Sequence, residues 1–307
     1  MTVTGVLLAA GRGERLRPLT DIVPKPALPL LDVPLGAWGL ESLLQATDEV
    51  IVNVSHLSDR VVGALAGFGD FEVLDEGPEP WGSAGTLAAI ADRAGDTVLV
   101  CNSDVLTDAR SAELLATHRA RGAPATISVR SVESGADLTT DGERATGFIH
   151  RKEEPAAAGA RYLGAAAFDR RALTLLTPRR PAGLAEFLLR PLIQRGELAV
   201  HFSEGYALDV GTLERYHRAS HDLLEGRGPL SPRPIPGEFI ELSGGRAYLG
   251  PDVSAEEESL GIGAVVLAGA ALHQGSYVTN AIVWPDEEVP ADVRVENGVW
   301  ASGRLHT

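Results

Sequence analysis

The N-terminal third of the chain alternates between short aliphatic runs and stretches of helical length. The aliphatic runs are Val3–Ala9, Glu49–Val54 and Thr97–Asn102. The stretches of helical length are Leu35–Ala46, Asp59–Ala66 and Gly85–Arg93. This alternation predicts an α/β fold with a doubly wound, mainly parallel, Rossmann-like sheet. Such sheets bind ligands at the carboxyl ends of their strands, so we expect the chemistry in the residues that follow each run.

The C-terminal part has a different pattern. Residues 226–238 are rich in Pro and Gly, which predicts a linker. Beyond it, residues that are mostly small or aliphatic recur with a spacing of six, at Val253, Ser259, Val265, Ala271, Tyr277, Val283, Val289, Val295 and Ala301. This spacing predicts a short left-handed β-helix of hexapeptide repeats, and irregular hairpins are the alternative. We therefore expect a catalytic domain over 1–225, a linker over 226–240 and a hexapeptide domain over 241–307.

The net charge of the chain limits the classes of partner that it is expected to bind. The 307 residues include 27 Lys and Arg against 42 Asp and Glu, a net charge of −15. That balance, without a basic stretch, argues against nucleic-acid and membrane-surface partners. The sequence has no long apolar run and no basic segment near its N-terminus, so we expect no membrane span, no secretory signal and a cytoplasmic location. The single cysteine, Cys101, has no partner for an internal disulfide.

Residues 7–30 combine glycines and cations directly after the first predicted strand. Gly11 and Gly13 allow backbone N–H groups to approach an anion, and positive charge comes from Arg12, Arg15, Arg17 and Lys25. A dinucleotide fingerprint would need a third glycine where Leu16 stands, and a P-loop would need Gly-Lys followed by Ser or Thr. The segment therefore predicts another kind of phosphate site, with a solvated surface turn as the alternative. Lys25 is one of only two lysines and lies between two prolines.

Four motifs resemble, in order, those of the sugar-1-phosphate nucleotidylyltransferases, or NDP-sugar pyrophosphorylases. The first is Leu8–Leu16, continued by Pro24–Pro26. The second, Trp81–Thr86, looks like the Gly-Thr-Ala-Gly loop of mannose-1-phosphate guanylyltransferases. The third, Asn102–Asp104, and the fourth, Gly205–Thr212, each resemble a family motif that ends near a metal-binding aspartate. With the hexapeptide tail, the resemblance extends over nearly the whole chain.

The resemblance implies transfer of a nucleotidyl group from an NTP to a sugar 1-phosphate, with Mg²⁺ as cofactor. Arg15 would hold the leaving pyrophosphate, and Lys25 would lie between the α-phosphate and the sugar phosphate. Asp104 and Asp209 would bind the metal, although either alone is equally typical of a turn or a helix cap. The other implied nucleotide contacts are Leu8, Ala9, Ala10, Gly11, Gly13, Gly82, Ser83, Gly85 and Asn102. The implied sugar contacts are Gly147, Lys152, Gly164 and Glu186.

The substrate pair stays open at this point. Residues 82–85 favour GTP and mannose 1-phosphate, whereas UTP or dTTP with another sugar 1-phosphate is the alternative. The chain departs from the family where His150–Pro155 replaces a sugar-contacting Glu-Lys-Pro and Tyr162–Gly164 replaces Asn-x-Gly. Glu14 stands where Thr or Ser is usual, a change associated with a subset of the family that includes N-acetylmuramate-1-phosphate uridylyltransferases.

Two other classes of function are alternatives to the enzyme. A regulatory subunit that binds NDP-sugar without turnover would not need Arg15, Lys25, Asp104 and Asp209 together. A hexapeptide acyltransferase would need a longer array of coils than this tail provides. We expect a homo-oligomer, with a dimer favoured, because open ends of a β-helix invite pairing.

Overall fold

The computed structural model describes residues 1–177 and 180–307. The N-terminal strands are β1 (Val3–Leu8), β2 (Pro29–Leu30), β3 (Val33–Pro34), β4 (Glu49–Val54), β5 (Glu72–Asp75), β6 (Thr97–Asn102), β7 (Val105–Thr107), β8 (Ala125–Val132), β9 (Leu138–Thr140), β10 (Ala145–Phe148), β11 (Gly159–Asp169), β12 (Leu198–Phe202) and β13 (Ala207–Asp209). The C-terminal strands are β14 (Glu238–Leu242), β15 (Gly245–Leu249), β16 (Ala264–Val266), β17 (Ala271–Leu272), β18 (Tyr277–Thr279), β19 (Ala281–Val283), β20 (Glu288–Val289), β21 (Arg294–Glu296), β22 (Val299–Ala301) and β23 (Arg304–His306).

The helices accompany the N-terminal strands. They are α1 (Leu19–Ile22), α2 (Gly36–Leu44), α3 (Ser58–Leu65), α4 (Ser83–Ile90), α5 (Ser111–Arg121), α6 (Arg170–Leu173), α7 (Arg190–Gln194) and α8 (Leu213–Leu224). Short 3-10 turns occur at Glu14–Leu16, Lys25–Ala27, Ala66–Phe68 and Glu257–Ser259, and a π-helical turn at Ala185–Leu189. Within residues 1–177 and 180–307, no helix has both the length and the apolarity needed to span a bilayer.

A nine-stranded sheet organises the N-terminal part. Its strand order is β10-β9-β11-β6-β1-β4-β5, and β8 joins it by pairing with β11 and β12. The strands β6, β1, β4 and β5 are parallel to one another. The predicted α/β class and mainly parallel sheet are therefore confirmed. Antiparallel pairing enters with β11, which lies against β6.

Alternate residues of the parallel strands pack on opposite faces of the sheet, as the two-residue period of a strand requires. Leu7, Val52 and Leu99 belong to a core that includes residues of α2, α3 and α5. Val6 and Val100 belong to a second core that includes residues of α4 and α7. Because helices cover both faces, these strands are continuously apolar, which is why the sequence showed them as unbroken aliphatic runs.

The C-terminal strands repeat every 17 residues. Val265 of β16 pairs with Ile282 of β19, and Ile282 pairs with Val299 of β22, in parallel each time. Parallel pairs β17–β20 and β18–β21 form two further short sheets. Antiparallel strands close the array at both ends, β14 on β15 and β23 on β22.

The predicted uniform spacing of six is wrong. Within each 17-residue repeat, successive core residues are six, six and five positions apart. The apolar residues in the core between these strands are therefore Val266, Leu272, Val278, Val283, Val289, Val295 and Trp300. Ala271 and Tyr277, which the uniform spacing marked, are partly exposed. Tightly stacked corners accompany the 17-residue repeat: a Cβ on Gly269 would lie 2.3 Å from Oδ1 of Asp286, one repeat further on. Both residues have positive φ, which Gly and Asp tolerate better than most residues.

The C-terminal strands share a core with the N-terminal part. Tyr248 and Trp284 belong to the same apolar cluster as α2, and the Trp284 ring lies 5.7 Å from that of Tyr216 on α8. Asp32, at the tip of the β2–β3 hairpin, accepts hydrogen bonds from the Tyr248 hydroxyl at 2.9 Å and from the backbone N–H of Ala268 at 3.0 Å. The C-terminal strands therefore hold a hairpin that begins only a few residues after Lys25.

Candidate active site

Lys25 stands at the centre of the candidate site. Its side chain is 9% exposed, and its Nζ lies 2.7 Å from Oδ2 of Asp104 and 3.9 Å from Oδ1 of Asp209. An ammonium group buried to this extent needs charged or hydrogen-bonding partners, which the two carboxylates supply. The structure thus brings together three residues that the sequence analysis had singled out on separate motifs.

Strand pairing explains how the two aspartates meet. Asp104 follows the carboxyl end of β6, and Asp209 is the last residue of β13. Strands β7 and β13 pair antiparallel with Val105 opposite Asp209, and the backbone N–H of Val210 donates to the carbonyl of Asp104 at 2.9 Å. The short β7–β13 pair therefore fixes both carboxylates beside Lys25.

Two arginines also approach Asp209. Nη1 of Arg215 donates to its Oδ2 at 2.8 Å. The second arginine, Arg15, and Asp209 both lie next to Gly211. A Cβ on Gly211 would stand 3.0 Å from Nη2 of Arg15 and 3.1 Å from Oδ1 of Asp209. Gly211 therefore leaves room for the Arg15 guanidinium beside the aspartate, and the site gathers more positive than negative side chains.

The glycine loop after β1 wraps around Lys25. Gly13 has a φ of +64°, and a Cβ there would lie 3.1 Å from the Cβ of Lys25 and 3.0 Å from Cγ2 of Thr20. Thr20 closes the loop, because its hydroxyl donates to the carbonyl of Gly13 at 3.0 Å. Gly11 is exposed, and no atom lies within 4 Å of where its Cβ would be. An anion can therefore approach the backbone at this glycine, as the sequence suggested.

A cleft of about 270 Å³, here named the first cleft, opens at the carboxyl ends of β1 and β6. Its lining includes the expected residues Leu8, Ala10, Gly11, Lys25, Gly82, Ser83, Asn102 and Asp104, with Pro26, Asn53, Glu76, Pro80 and Ser103 beside them. Ala9 and Gly13 lie on the loop after β1, Gly85 lies in the first turn of α4, and Ala9 and Gly85 are buried. This is where a parallel sheet of this type binds its ligands.

A buried polar network under the first cleft escaped the sequence analysis. Glu76, only 5% exposed, accepts hydrogen bonds from Asn53 Nδ2 at 2.8 Å, from the Thr86 hydroxyl at 2.6 Å and from the Trp81 backbone N–H at 2.6 Å. Oδ1 of Asn53 accepts from the backbone N–H of Ala9 at 2.6 Å. The network joins the loop after β1 to the loop before α4. An asparagine inside the apolar β4 run was the available signal, because a buried amide must find partners.

The loop before α4 is held from its other side by residues 182–184. The backbone N–H of Ala84 donates to the carbonyl of Ala182 at 2.9 Å, and the N–H of Ala182 donates to the carbonyl of Trp81 at 2.8 Å. Gly82 has a φ of +75°, and a Cβ there would lie 2.5 Å from the Ala182 oxygen. Only glycine fits this close backbone approach.

The implied sugar contacts are dispersed. Gly164, with a φ of +77°, adjoins the site, because a Cβ there would lie 2.8 Å from Cγ2 of Val105 and 3.2 Å from the Cβ of Asn102. Gly147 lies in β10, Lys152 is exposed in a turn, and Glu186 is exposed on the π-helical turn. None of these last three lines the first cleft or the cleft described next.

A second cleft, of about 360 Å³, adjoins Asp209. It is lined by Val105, Arg130, Arg151, Arg161, Tyr162, Leu163, Ala207, Leu208, Asp209, Glu214, Arg215 and Arg218. The Tyr162 hydroxyl is buried and has no hydrogen-bond partner among the described residues, and burial raises the pKa of this phenol. The phenol therefore keeps its proton and is a buried hydrogen-bond donor.

The two aspartates suit a hard divalent cation. Magnesium is commonly held by one or two carboxylates, completed by substrate phosphates and water. Across residues 1–177 and 180–307, no group of three His, Cys, Asp or Glu side chains is arranged to hold a metal by itself. The arrangement around Asp104 and Asp209 therefore fits a metal shared with a phosphate ligand better than a closed structural site.

Known proteins resemble this chain along most of its length. It is 29% identical over 308 residues to a mannose-1-phosphate guanylyltransferase of Mycobacterium tuberculosis, an alignment that covers 96% of this chain and 83% of that protein. It is 42% identical over 109 residues to an N-acetylmuramate α-1-phosphate uridylyltransferase of Neisseria meningitidis, covering 34% of this chain and 47% of that protein.

Solved structures share the fold. HddC from Yersinia pseudotuberculosis, in complex with GMP-PN, superposes with a TM-score of 0.61 at 17% identity over 73% of this chain and 100% of its own. A putative glucose-1-phosphate thymidylyltransferase from Bacillus anthracis superposes with a TM-score of 0.59 at 20% identity, and the match covers 71% of this chain and 94% of that one. The sequence model of the Nucleotidyl transferase family matches residues 4–226. The chain therefore belongs to the nucleotidyl transferase family and is a nucleotidyltransferase.

Proposed function

We propose that this enzyme transfers a nucleotidyl group from an NTP to a sugar 1-phosphate and releases pyrophosphate, with GTP and mannose 1-phosphate as the favoured pair. The main support is the position of Lys25, whose ammonium contacts a carboxylate of the first cleft and lies near one of the second. The NTP would occupy the first cleft and the sugar phosphate the second. Lys25 would then lie between the two phosphates that react.

The chemistry needs little more than position and charge. A sugar-phosphate oxygen attacks the α-phosphorus, a new P–O bond forms, and the bond to the leaving pyrophosphate breaks. The nucleophile is already ionised near neutral pH, so no general base is needed. Lys25 neutralises charge between the two phosphates, and Arg15 would receive the negative charge that develops on the pyrophosphate, a bidentate task that suits guanidinium.

We propose Mg²⁺ as the cofactor, held by Asp104 and Asp209. When bound, it would neutralise phosphate charge and orient the phosphate oxygens. Lys25 would keep the two carboxylates in place while the metal is absent, because it contacts one and lies near the other.

The choice of nucleotide would be made in the first cleft. The loop of residues 81–86 is fixed by Glu76 and by residues 182–184, so it offers a rigid edge to a base. The proposed nucleotide contacts are Leu8, Ala9, Ala10, Gly11, Gly13, Gly82, Ser83, Gly85 and Asn102. GTP is favoured because relatives over the full length carry the name mannose-1-phosphate guanylyltransferase. UTP or dTTP with another sugar 1-phosphate is the second candidate, since shorter alignments match uridylyltransferases.

Pyrophosphate release with Mg²⁺ tests the proposal. The assay combines the four NTPs and dTTP with mannose, glucose, galactose, N-acetylglucosamine and N-acetylmuramate 1-phosphates. We expect GTP with a mannose-type phosphate to dominate, and a different dominant pair would replace only the substrate assignment. Absence of turnover with every pair, together with detectable binding of NDP-sugar, would instead favour a regulatory subunit.

Variants of the central cluster give the second half of that test. Lys25→Met and Asp209→Asn should each lower kcat by at least about 100-fold, the usual loss when one group that stabilises the transition state is removed. Lys25→Arg should also be slow, because a planar guanidinium does not replace a compact ammonium between two carboxylates. Unchanged turnover of Lys25→Met with every substrate pair would refute the proposal.

We also propose an organisation for the whole chain. A catalytic domain would span 1–225, a linker 226–240, and a left-handed β-helix of three-strand coils 241–307. The last is supported by the parallel pairs that recur every 17 residues. A cytoplasmic homodimer would be the working form, and the mass of the intact chain by light scattering would test the dimer. Deleting the C-terminal strands would not, because they share a core with the catalytic part.

A further inference from the structure

The second cleft contains more positive charge than one phosphate needs. Five arginines and two carboxylates, Asp209 and Glu214, line it in a protein whose net charge is −15. Arg215 is paired with Asp209 and lies closest to the reacting groups. Arg151 and Arg218 are paired with acids outside the lining, at Asp137 and Asp222. Arg130 and Arg161 remain, and neither forms an ion pair with an acid among the described residues.

Arg130 and Arg161 stand directly opposite each other. They are register partners on the antiparallel strands β8 and β11, so both side chains project from the same face of the sheet. Like charges in directly opposed positions destabilise a sheet. An anion bound between them would turn this repulsion into two charge-assisted contacts.

The structure leaves both guanidinium groups able to bind such an anion. Among the described residues, Arg130 forms no ion pair. Arg161 donates through Nε and Nη2 to the carbonyls of Ser134 and Gly135, which orients the group without neutralising it. Burial is the main cause that lowers the pKa of Arg161; the neighbouring arginines lower it further, and Asp137 opposes them.

The nearby glutamates do not form ion pairs with Arg130 or Arg161 in the described part of the chain. The same two arginines also border a neighbouring cavity lined by Glu133 and Glu204. The two arginine charges therefore stay available.

We propose that the preferred sugar 1-phosphate carries a second anionic group, a carboxylate or a second phosphate, bound between Arg130 and Arg161. This inference rests on the proposed function, because it places the sugar phosphate in the second cleft. It refines that proposal: a neutral hexose 1-phosphate such as mannose 1-phosphate is accepted, and its acidic counterpart is used better.

Matched substrate pairs test the inference. The neutral members are mannose 1-phosphate and N-acetylglucosamine 1-phosphate. The acidic members are mannuronate 1-phosphate and mannose 1,6-bisphosphate for the first, and N-acetylmuramate 1-phosphate for the second. With the NTP held fixed, kcat/KM from pyrophosphate release should be at least about tenfold higher for an acidic member than for its neutral partner, the factor that about 1.4 kcal/mol of added interaction gives. A carboxylate ligand and a phosphate ligand are distinguished by which acidic member gains.

Arg130→Gln supplies the matched variant. It should lower the acidic-to-neutral ratio of kcat/KM about tenfold, whereas Arg304→Gln, which removes an exposed arginine of β23, should leave the ratio unchanged. Because Arg130 faces Arg161, Arg130→Gln should not lower the Tm of the ligand-free protein, a result that a merely structural arginine would not give.

The outcomes separate the two proposals. Equal kcat/KM for acidic and neutral members, or an equal loss on both in Arg130→Gln, would overturn the second-anion inference and leave nucleotidyl transfer standing. Absence of pyrophosphate release with every pair would overturn both.

Discussion

Replacing Tyr248 with phenylalanine tests how the C-terminal strands are fixed to the segment that follows Lys25. The Tyr248 side chain is fully buried. Its hydroxyl is within donating distance of Oδ2 of Asp32, at 2.9 Å, and of the Leu31 carbonyl, at 3.2 Å, and it accepts from the backbone N–H of Gly237 at 3.1 Å. The substitution keeps the ring and its packing, so it removes these three polar contacts and little else.

The expected cost depends on the charge of Asp32. Burial raises the pKa of this carboxyl above its ordinary value, and the Tyr248 hydroxyl and the Ala268 N–H oppose that rise. Because the folded-state pKa is raised, the unfolded chain loses this proton first, and stability falls as pH rises through the interval between the two values. Without the hydroxyl, the pKa of Asp32 in the folded protein rises further, so the interval widens and the fall becomes larger.

The free-energy cost of Tyr248→Phe should therefore differ between acidic and neutral pH. At pH 4, where more of the Asp32 carboxyl is protonated than at pH 7, Tyr248→Phe should cost about 1 kcal/mol, the usual contribution of a neutral hydrogen bond. At pH 7, where more of the carboxyl is ionised and the charged form has lost a donor, the cost should rise toward about 2–3 kcal/mol, as for hydrogen bonds to charged groups. The difference between the two pH values is the specific result.

This difference is measured by urea unfolding at both pH values, with tryptophan fluorescence as the signal. Tyr277→Phe is the matched control, because the Tyr277 hydroxyl forms no hydrogen bond within the described residues and its ring is only partly buried. We expect the control to change the free energy of unfolding by less than about 0.5 kcal/mol, as for most surface substitutions. An equal cost of Tyr248→Phe at pH 4 and pH 7, or a cost no larger than that of the control, would refute the reasoning.

Two further predictions use other parts of the chain. Gly82→Ala should lower the free energy of unfolding by well over 1 kcal/mol and raise the KM for the NTP, because the new Cβ meets the Ala182 carbonyl. The control is Gly77→Ala, which has a similar φ but open space around its Cβ and should cost only the backbone strain. Equal costs of the two substitutions would contradict the packing argument. Burial lowers the pKa of His118 although Asp169 opposes this, so stability should fall as pH drops below about 6.5, and His118→Gln should flatten that dependence in thermal melts.

The sequence predicted the parallel half of the sheet well and the rest less well. The runs at β1, β4 and β6 were identified almost residue for residue, because burial on both faces leaves an unbroken aliphatic stretch. Strands β8 to β11 were not identified, since they do not follow the strand–helix alternation of the N-terminal third and pair with one another mostly antiparallel. The uniform spacing of six in the C-terminal part was wrong because one interval in each coil has five residues, a difference that a regular pattern conceals.

The candidate site also contains residues that the sequence identified and residues that it missed. Lys25, Asp104 and Asp209 were identified by their motifs, and the structure places all three together. Glu76 and Asn53 were missed, because each belongs to no motif and is defined only by the partners that burial gives it. Arg130 and Arg161 were missed as well, since nothing in the order of residues reveals which positions of two antiparallel strands stand opposite each other.

By itself, the amino-acid sequence therefore determined the α/β class, the family and the reacting cluster, since local hydrophobic periodicity and short motifs are written in consecutive residues. Only the tertiary structure decided how the C-terminal strands brace the Lys25 segment and which charges meet in the second cleft. Those features depend on strand register and on contacts between residues such as Asp32 and Tyr248, which are 216 positions apart. Such contacts are set by the packing of the whole chain, where the cost of burying a polar or charged group selects its partner.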